Sequence, residues 1–292
     1  MKHLARLTIS FAVTLSLIAG AAKAQGDDLA IDFRLTESGV SGGSPVNGDG
    51  TGHAVISKDR VRIDMKGNTR MMKMPGGGES DSVTLIMVDS GKTLIFLYRK
   101  DKRFLRIRPA EMMEGMQKLM EGIGASMSFD ITGDDPKVEN LGAGPVILGH
   151  HTLRYRVTGG MTVSVTAMGQ SQVTRMSSVA DEYLASDFAN FTDPFRGLGQ
   201  NAMGAAFGPG ARAYFDKMQA ARSKFPGLAL RAETHVITSG AGRGSDIKSV
   251  SEVTGIQKTT ASPSLFEVPA DYTPMTLPSM QRARDTIPPS KH

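Results

Sequence analysis

Arg60-Val61-Arg62-Ile63-Asp64-Met65 sets Val61, Ile63 and Met65 on one side of an extended chain and Arg60, Arg62 and Asp64 on the other. A period of two belongs to a strand with one buried and one wet face. The pattern returns where Leu153, Tyr155 and Val157 alternate with Thr152, Arg154 and Arg156, and where Val163 and Val165 alternate with Thr162, Ser164 and Thr166. Short breaks rich in Gly and Asp (Lys66-Gly67-Asn68, Asp89-Ser90-Gly91, Lys100-Asp101-Lys102, Gly159-Gly160) predict hairpins, hence antiparallel pairing. In residues 83–88 and 94–98 the apolar run is nearly continuous, which predicts strands covered on both faces.

Helical periodicity is confined to a few places. After Pro109, the residues Met112, Met113, Met116, Leu119, Met120 and Ile123 form one stripe, with Glu111, Glu114, Gln117, Lys118 and Glu121 opposite. A second helix is predicted from Pro209 to about Lys224, with Ala211, Tyr214, Phe215, Met218 and Ala221 on one side, and a weaker one over residues 180–189. Gly and Ser collect at 39–52, 76–82, 197–210 and 239–245, which predicts loops between strands. Prolines 274, 278, 288 and 289 predict an extended or flexible tail over 273–292.

The first residues carry an address. Met1-Lys2-His3-Leu4-Ala5-Arg6 is a basic start, residues 7–21 are apolar, and Ala22-Lys23-Ala24 is a small-x-small cleavage triplet, so residues 1–24 are expected to be a signal peptide. Gln25 rather than Cys follows, so no lipid anchor is expected there, and no later segment is long and apolar enough to predict a transmembrane helix. The 292-residue chain has no Cys, which excludes disulfides, thiolate nucleophiles and cysteine-ligated metals. A periodic, cysteine-free exported chain of this kind is expected in the periplasm or outside a bacterial cell. Of 34 Lys and Arg, three leave with the leader, and 31 − 29 leaves a mature charge of +2, so general basicity does not argue for nucleic acid.

Candidate chemistry is sparse. Gly39-Val40-Ser41-Gly42-Gly43 matches G-x-S-x-G, but a nucleophile elbow needs a strand-to-helix turn, and strands follow here. Gly91-Lys92-Thr93 lacks the earlier Gly of a phosphate loop and is expected to be a hairpin turn, while Asn190-Phe191-Thr192 matches the glycosylation pattern by chance. His150-His151 on an extended backbone point to opposite sides, and no metal-ligand spacing accompanies His53, His235 or His292. Eighteen Met, with Met71-Met72-Lys73-Met74 among them, leave copper(I) binding as one alternative and an apolar-ligand groove under the Met-faced helix as another. Arg99, Lys100, Lys102 and Arg103 form a basic hairpin suited to an anionic surface or to solvent. No catalytic residue, resident metal or cofactor is expected.

Arg60–Met65, Ile147-Leu148-Gly149-His150-His151-Thr152-Leu153-Arg154-Tyr155, Phe225-Pro226-Gly227-Leu228 and Leu265-Phe266-Glu267-Val268-Pro269-Ala270-Asp271-Tyr272 together carry a resemblance. They resemble a group of exported bacterial proteins of unknown function related to the lipoprotein carriers LolA and LolB, although this chain is longer than the carriers. The resemblance implies a mainly β (α+β) fold: a strongly curved antiparallel sheet, or partly open barrel, covered by inserted helices. One such domain is expected over 25–272, with a helical insertion at about 180–226 that has no clear counterpart in the carriers, and the resemblance makes Tyr155, Phe266 and Tyr272 packing landmarks. The expected function is non-enzymatic binding of an apolar ligand (lipid, acyl chain or lipoprotein segment) between the sheet and the Pro109 helix. An interaction or sensor module with a filled core, engaging an envelope protein, is the alternative.

Overall fold

A computed structural model of the chain describes residues 28–69, 82–112, 114–115, 127–167, 169–188, 209–225, 227–240 and 244–275. Six strands come first: β1 (Asp28–Ser41), β2 (Ser44–Ser57), β3 (Arg60–Gly67), β4 (Ser82–Val88), β5 (Thr93–Tyr98) and β6 (Arg103–Ile107). Seven follow: β7 (Met127–Gly133), β8 (Lys137–Ala143), β9 (Thr152–Ala167), β10 (Gln170–Ala185), β11 (Leu228–Gly240), β12 (Ser245–Thr259) and β13 (Thr273–Pro274). They make one sheet in the order β13-β6-β5-β4-β3-β2-β1-β12-β11-β10-β9-β7, with β8 beside β9. The pairing is antiparallel throughout except for β13 on β6. The sheet is open, since β13 and β7 end it without pairing to each other. The mainly β, antiparallel expectation holds in this coarse form.

The β1–β12 pair joins two wings, β1–β6 and β7–β12. Register shifts at Asp32/Phe33, Tyr183/Leu184 and Asn140/Ala143 mark bulges, which bend the strands and add twist. Curvature brings Ala185, Leu228, Leu230 and Val253 of the second wing into one buried cluster with Leu29, Ile31, Ile63, Leu85, Phe96 and Leu105 of the first. We call the face carrying that cluster the inner face.

Strands β4 and β5 confirm the reading of their unbroken apolar runs. Leu85, Met87, Leu94 and Phe96 pack into the inner cluster. Ile86, Ile95 and Leu97 pack on the outer face under Phe266, with Leu265, Val268 and Tyr272 around them. The closing segment of the chain is thus a strap over the outside of the first wing.

Four local expectations are corrected. Gly159-Gly160 is no turn but the middle of the 16-residue β9. A Cβ on Gly159 would lie 3.3 Å from the Tyr214 hydroxyl, and one on Gly160 2.8 Å from the Asp134 carboxylate, so these glycines make room for neighbours rather than reverse the chain. Residues 180–185 belong to β10 and 186–188 to a 3₁₀ turn, not to a helix; the bulged strand mimics helical spacing where both faces are buried. The Gly-rich stretch from 39 is mainly strand, reversed only at Gly42-Gly43, whose φ values of 61° and 82° suit a two-residue hairpin. Thr273-Pro274, expected in a loose tail, is a short parallel strand on β6, held by Thr273 N–H to the Lys102 carbonyl at 2.9 Å.

The second predicted helix is present as Pro209–Arg222, with Ala211 and Tyr214 buried against β7 and β9. Residues 189–208 of the expected insertion lie outside the described residues, as do the whole expected leader, 1–24, with residues 25–27 after it, and 276–292 of the tail.

Candidate functional site

The inner face of β3–β6 is built by alternation: Val61, Ile63 and Met65, then Val83, Leu85 and Met87, then Leu94, Phe96 and Tyr98, then Leu105. Each of these side chains is exposed by no more than 6%. The rim is different, since Phe33, Ile107, Met112, Ile147, Phe188 and Met275 pack on the cluster while only partly buried. Residues 109–112 and 114–115 are helical, so the helix predicted after Pro109 begins where expected and sets Met112 against the inner face. Met113, Met116, Leu119, Met120 and Ile123, the rest of the expected ligand-binding stripe, lie outside the described residues.

One polar atom interrupts the apolar surface. Tyr98, exposed by 3%, has a hydroxyl with no hydrogen-bond partner among the described residues, and burial pushes its pKa up. Its cross-strand partner is Arg103, so the phenol and the guanidinium start from the same face of the sheet.

The basic hairpin divides into two pairs. Arg99 is bonded to Asp64 and to the Thr84 hydroxyl, and Lys102 meets Asp271 of the strap at 2.8 Å. Lys100 and Arg103 are exposed, with no ion pair among the described residues. Two of the four expected anion-contact residues therefore spend their charge internally.

Asp64 is the hub of the outer face. Burial alone would raise its carboxyl, but hydrogen bonds from Arg62 and Thr84 and the charges of Arg62 and Arg99 hold it below the ordinary range. Arg62 donates to Asp64 at 2.9 Å and to the Leu265 carbonyl at 2.9 Å, and Arg60 lies over the Phe266 ring. The R-x-R-x-D strand thus anchors the closing F-x-V-P segment, and both motifs are structural. Tyr155, packed in a cluster with Leu184 and Ala229, and Phe266 are packing residues as the resemblance implies.

The second wing holds charge where the first holds hydrocarbon. Glu182 on β10, exposed by 2%, is paired with Arg222 at the end of the Pro209 helix. Desolvation raises its carboxyl pKa against the opposing pull of Arg222. Next to it in sequence, Asp181 accepts hydrogen bonds from Arg156 and Arg154 and is held below the ordinary carboxylate range. Sequence reading missed the buried pair; the available signal was Asp181-Glu182 inside the run Val179-Ala180-Asp181-Glu182-Tyr183-Leu184-Ala185.

His53, His150 and His235 are each hydrogen-bonded to one carboxylate, those of Asp32, Asp187 and Asp246, at 2.7 Å. Among the described residues no three His, Asp or Glu side chains gather as a metal site, and no helix is long and apolar enough to cross a membrane.

No protein-family model matches the chain. No curated protein sequence matches it. Among solved structures, a chain of the Pseudomonas aeruginosa MucA/MucB complex is similar at 7% identity over 80% of this chain and 94% of that one, with a TM-score of 0.22. A likeness of that degree carries no argument about fold or function.

Proposed function

We propose that the protein is a non-enzymatic binding protein, exported by its leader to the bacterial periplasm or beyond, that holds an apolar ligand between the inner sheet face and the Pro109 helix. The ligand class is a lipid, an acyl chain or a lipoprotein segment. The observation that carries this reading is the contrast between a continuous apolar floor and its half-buried rim, with Met112 at that rim. Apolar burial would supply the affinity, about 0.8 kcal/mol for each methylene removed from water.

A second reading, an envelope interaction module with a solid core, is favoured by the low exposure of the floor itself, none of it above 8%. Native mass spectrometry of gently purified mature protein separates the two. Retained lipid that disappears in Met112→Glu supports ligand binding. Lipid-free protein that copurifies with an envelope protein, unaffected by Met112→Glu, overturns it in favour of the second reading. A copper adduct would instead revive the thioether alternative.

A further inference from the structure

We infer that the ligand is an anionic amphiphile, its charged group held by the Tyr98 hydroxyl and the Arg103 guanidinium and its hydrocarbon lying along β5 and β6 toward Ile107 and Met112. This inference rests on the apolar-ligand reading and names the chemical class that the same site takes.

A hydroxyl that leaves water and finds no partner destabilises the fold that buries it. Tyr98 is in that position, exposed by 3% and unpaired among the described residues. Phe would fill the same volume without the penalty, so the oxygen calls for a role that no described residue supplies. A phenol whose pKa is raised by burial stays protonated and donates, which suits an acceptor with negative charge.

Arg103 is paired across the strands with Tyr98, which places their Cβ atoms on one face about 5 Å apart. Its guanidinium is exposed and has no hydrogen bond or ion pair among the described residues. The neighbouring cations Arg99 and Lys102 are committed to Asp64 and Asp271, so the hairpin's spare charge sits at Lys100 and Arg103. A guanidinium fork matches the two oxygens of a carboxylate or phosphate. Beyond this polar end, the next pairs on the same face are Phe96 with Leu105 and Leu94 with Ile107. They extend the apolar floor roughly 13 Å at the usual rise of a strand. Ile107 and Met112, both partly buried, stand at the far end. The layout is polar at one end and apolar along its length, which is the shape of a single-chain amphiphile.

The test is calorimetric titration of the mature chain with oleate, oleyl alcohol, lysophosphatidate and inorganic phosphate, each below its aggregation limit. Oleate is expected to bind more tightly than oleyl alcohol by roughly 10- to 100-fold, the worth of a charge-assisted hydrogen bond. Arg103→Gln should abolish that preference. Tyr98→Phe should weaken oleate by about tenfold while raising the melting temperature of the free protein, a combination that a purely structural tyrosine would not give. Lys102→Gln should leave both titrations unchanged. Lysophosphatidate against oleate decides which anion is preferred, and inorganic phosphate binding as tightly as either would overturn the amphiphile. Equal affinity for oleate and oleyl alcohol, or a preference that survives both variants, overturns the anionic assignment and leaves the apolar-ligand reading standing. Absence of binding by any chain-bearing probe sinks both.

Discussion

The two wings of one continuous sheet are stabilised by different physics. In the first, β4 and β5 carry hydrocarbon on both faces, and a strap from residues 265–272 seals the outside through Phe266 and Leu265. In the second, the Pro209 helix covers β7 and β9 through Ala211 and Phe215, and its last turn is fixed by a buried ion pair, Arg222 with Glu182. Hydrocarbon burial is indifferent to pH. A carboxylate is not, so acidity should be felt at Glu182 in the second wing and, with the opposite sign, at Asp64 on the outer face of the first.

The sharpest way to break this comparison is to open the first wing. Phe266→Ala removes the centre of the outer cluster and is expected to cost about 3–5 kcal/mol, with the lost strap also leaving Ile95 and Leu97 open to water. Equilibrium denaturation with urea measures it, and a loss below about 1 kcal/mol would mean that the strap is not part of the cooperative fold.

Arg222→Met is the corresponding change in the second wing, expected to cost roughly 3 kcal/mol near neutral pH because it leaves the buried Glu182 carboxyl without its partner. The sign with pH follows from the raised carboxyl: the native state holds the proton more tightly than the unfolded chain, so stability falls as pH rises through the native pKa. The deficit of the variant should therefore shrink on acidification. Melting curves across the acid range read this directly, and a deficit independent of pH would remove Glu182 as its cause.

Asp64→Asn gives the opposite sign in the first wing. The Asp64 carboxyl is lowered in the fold, so its contribution is complete above the ordinary aspartate pKa and is lost as pH falls through the native one. The variant should lose about 1–2 kcal/mol at neutral pH, where Arg62 and Arg99 lose their acceptor, and should show a flatter acid limb than the wild type. Crossing slopes for Asp64→Asn and Arg222→Met would place the two wings under separate electrostatic control.

The wings were also unequally legible. Alternation at Val61, Ile63 and Met65 and the unbroken run Leu94-Ile95-Phe96-Leu97 carry burial information in the residue types themselves, and the structure follows both. In the second wing, Gly159-Gly160 has the composition of a turn but the duty of a contact point, because Tyr214 approaches from a helix about 55 residues later, and sequence periodicity does not encode approaches between distant elements. Residues 180–185 failed for a related reason: a strand buried on both faces has no polar face to display its period. At the candidate site, Met112 and the basic hairpin were legible, whereas the Tyr98 hydroxyl was not. That it lacks a partner among the described residues is something only the packed cluster reveals.

The smallest expected effect compares one hairpin from each wing. The turn between β1 and β2 uses Gly42-Gly43, with φ of 61° and 82°; the turn from Ile147 to His150 uses Leu148-Gly149, with φ of 50° and 82°. The backbones are nearly the same, but Leu148 takes the left-handed conformation with a Cβ, at a cost of about 1–2 kcal/mol. His150 bonded to Asp187, Thr152 bonded to the Pro145 carbonyl, and Ile147 packed on the inner cluster hold the turn in place against that strain. The Leu148 side chain, 46% exposed, recovers little through burial. Leu148→Asn creates an Asn-Gly pair, which accepts positive φ at both central positions, and should raise stability by about 0.5–1 kcal/mol. A shift of the urea midpoint to higher concentration with an unchanged slope is the expected record. A fall instead would mean that the exposed leucine makes a stabilising contact, one more apolar hold in the second wing beside those of Tyr155 and Ala211.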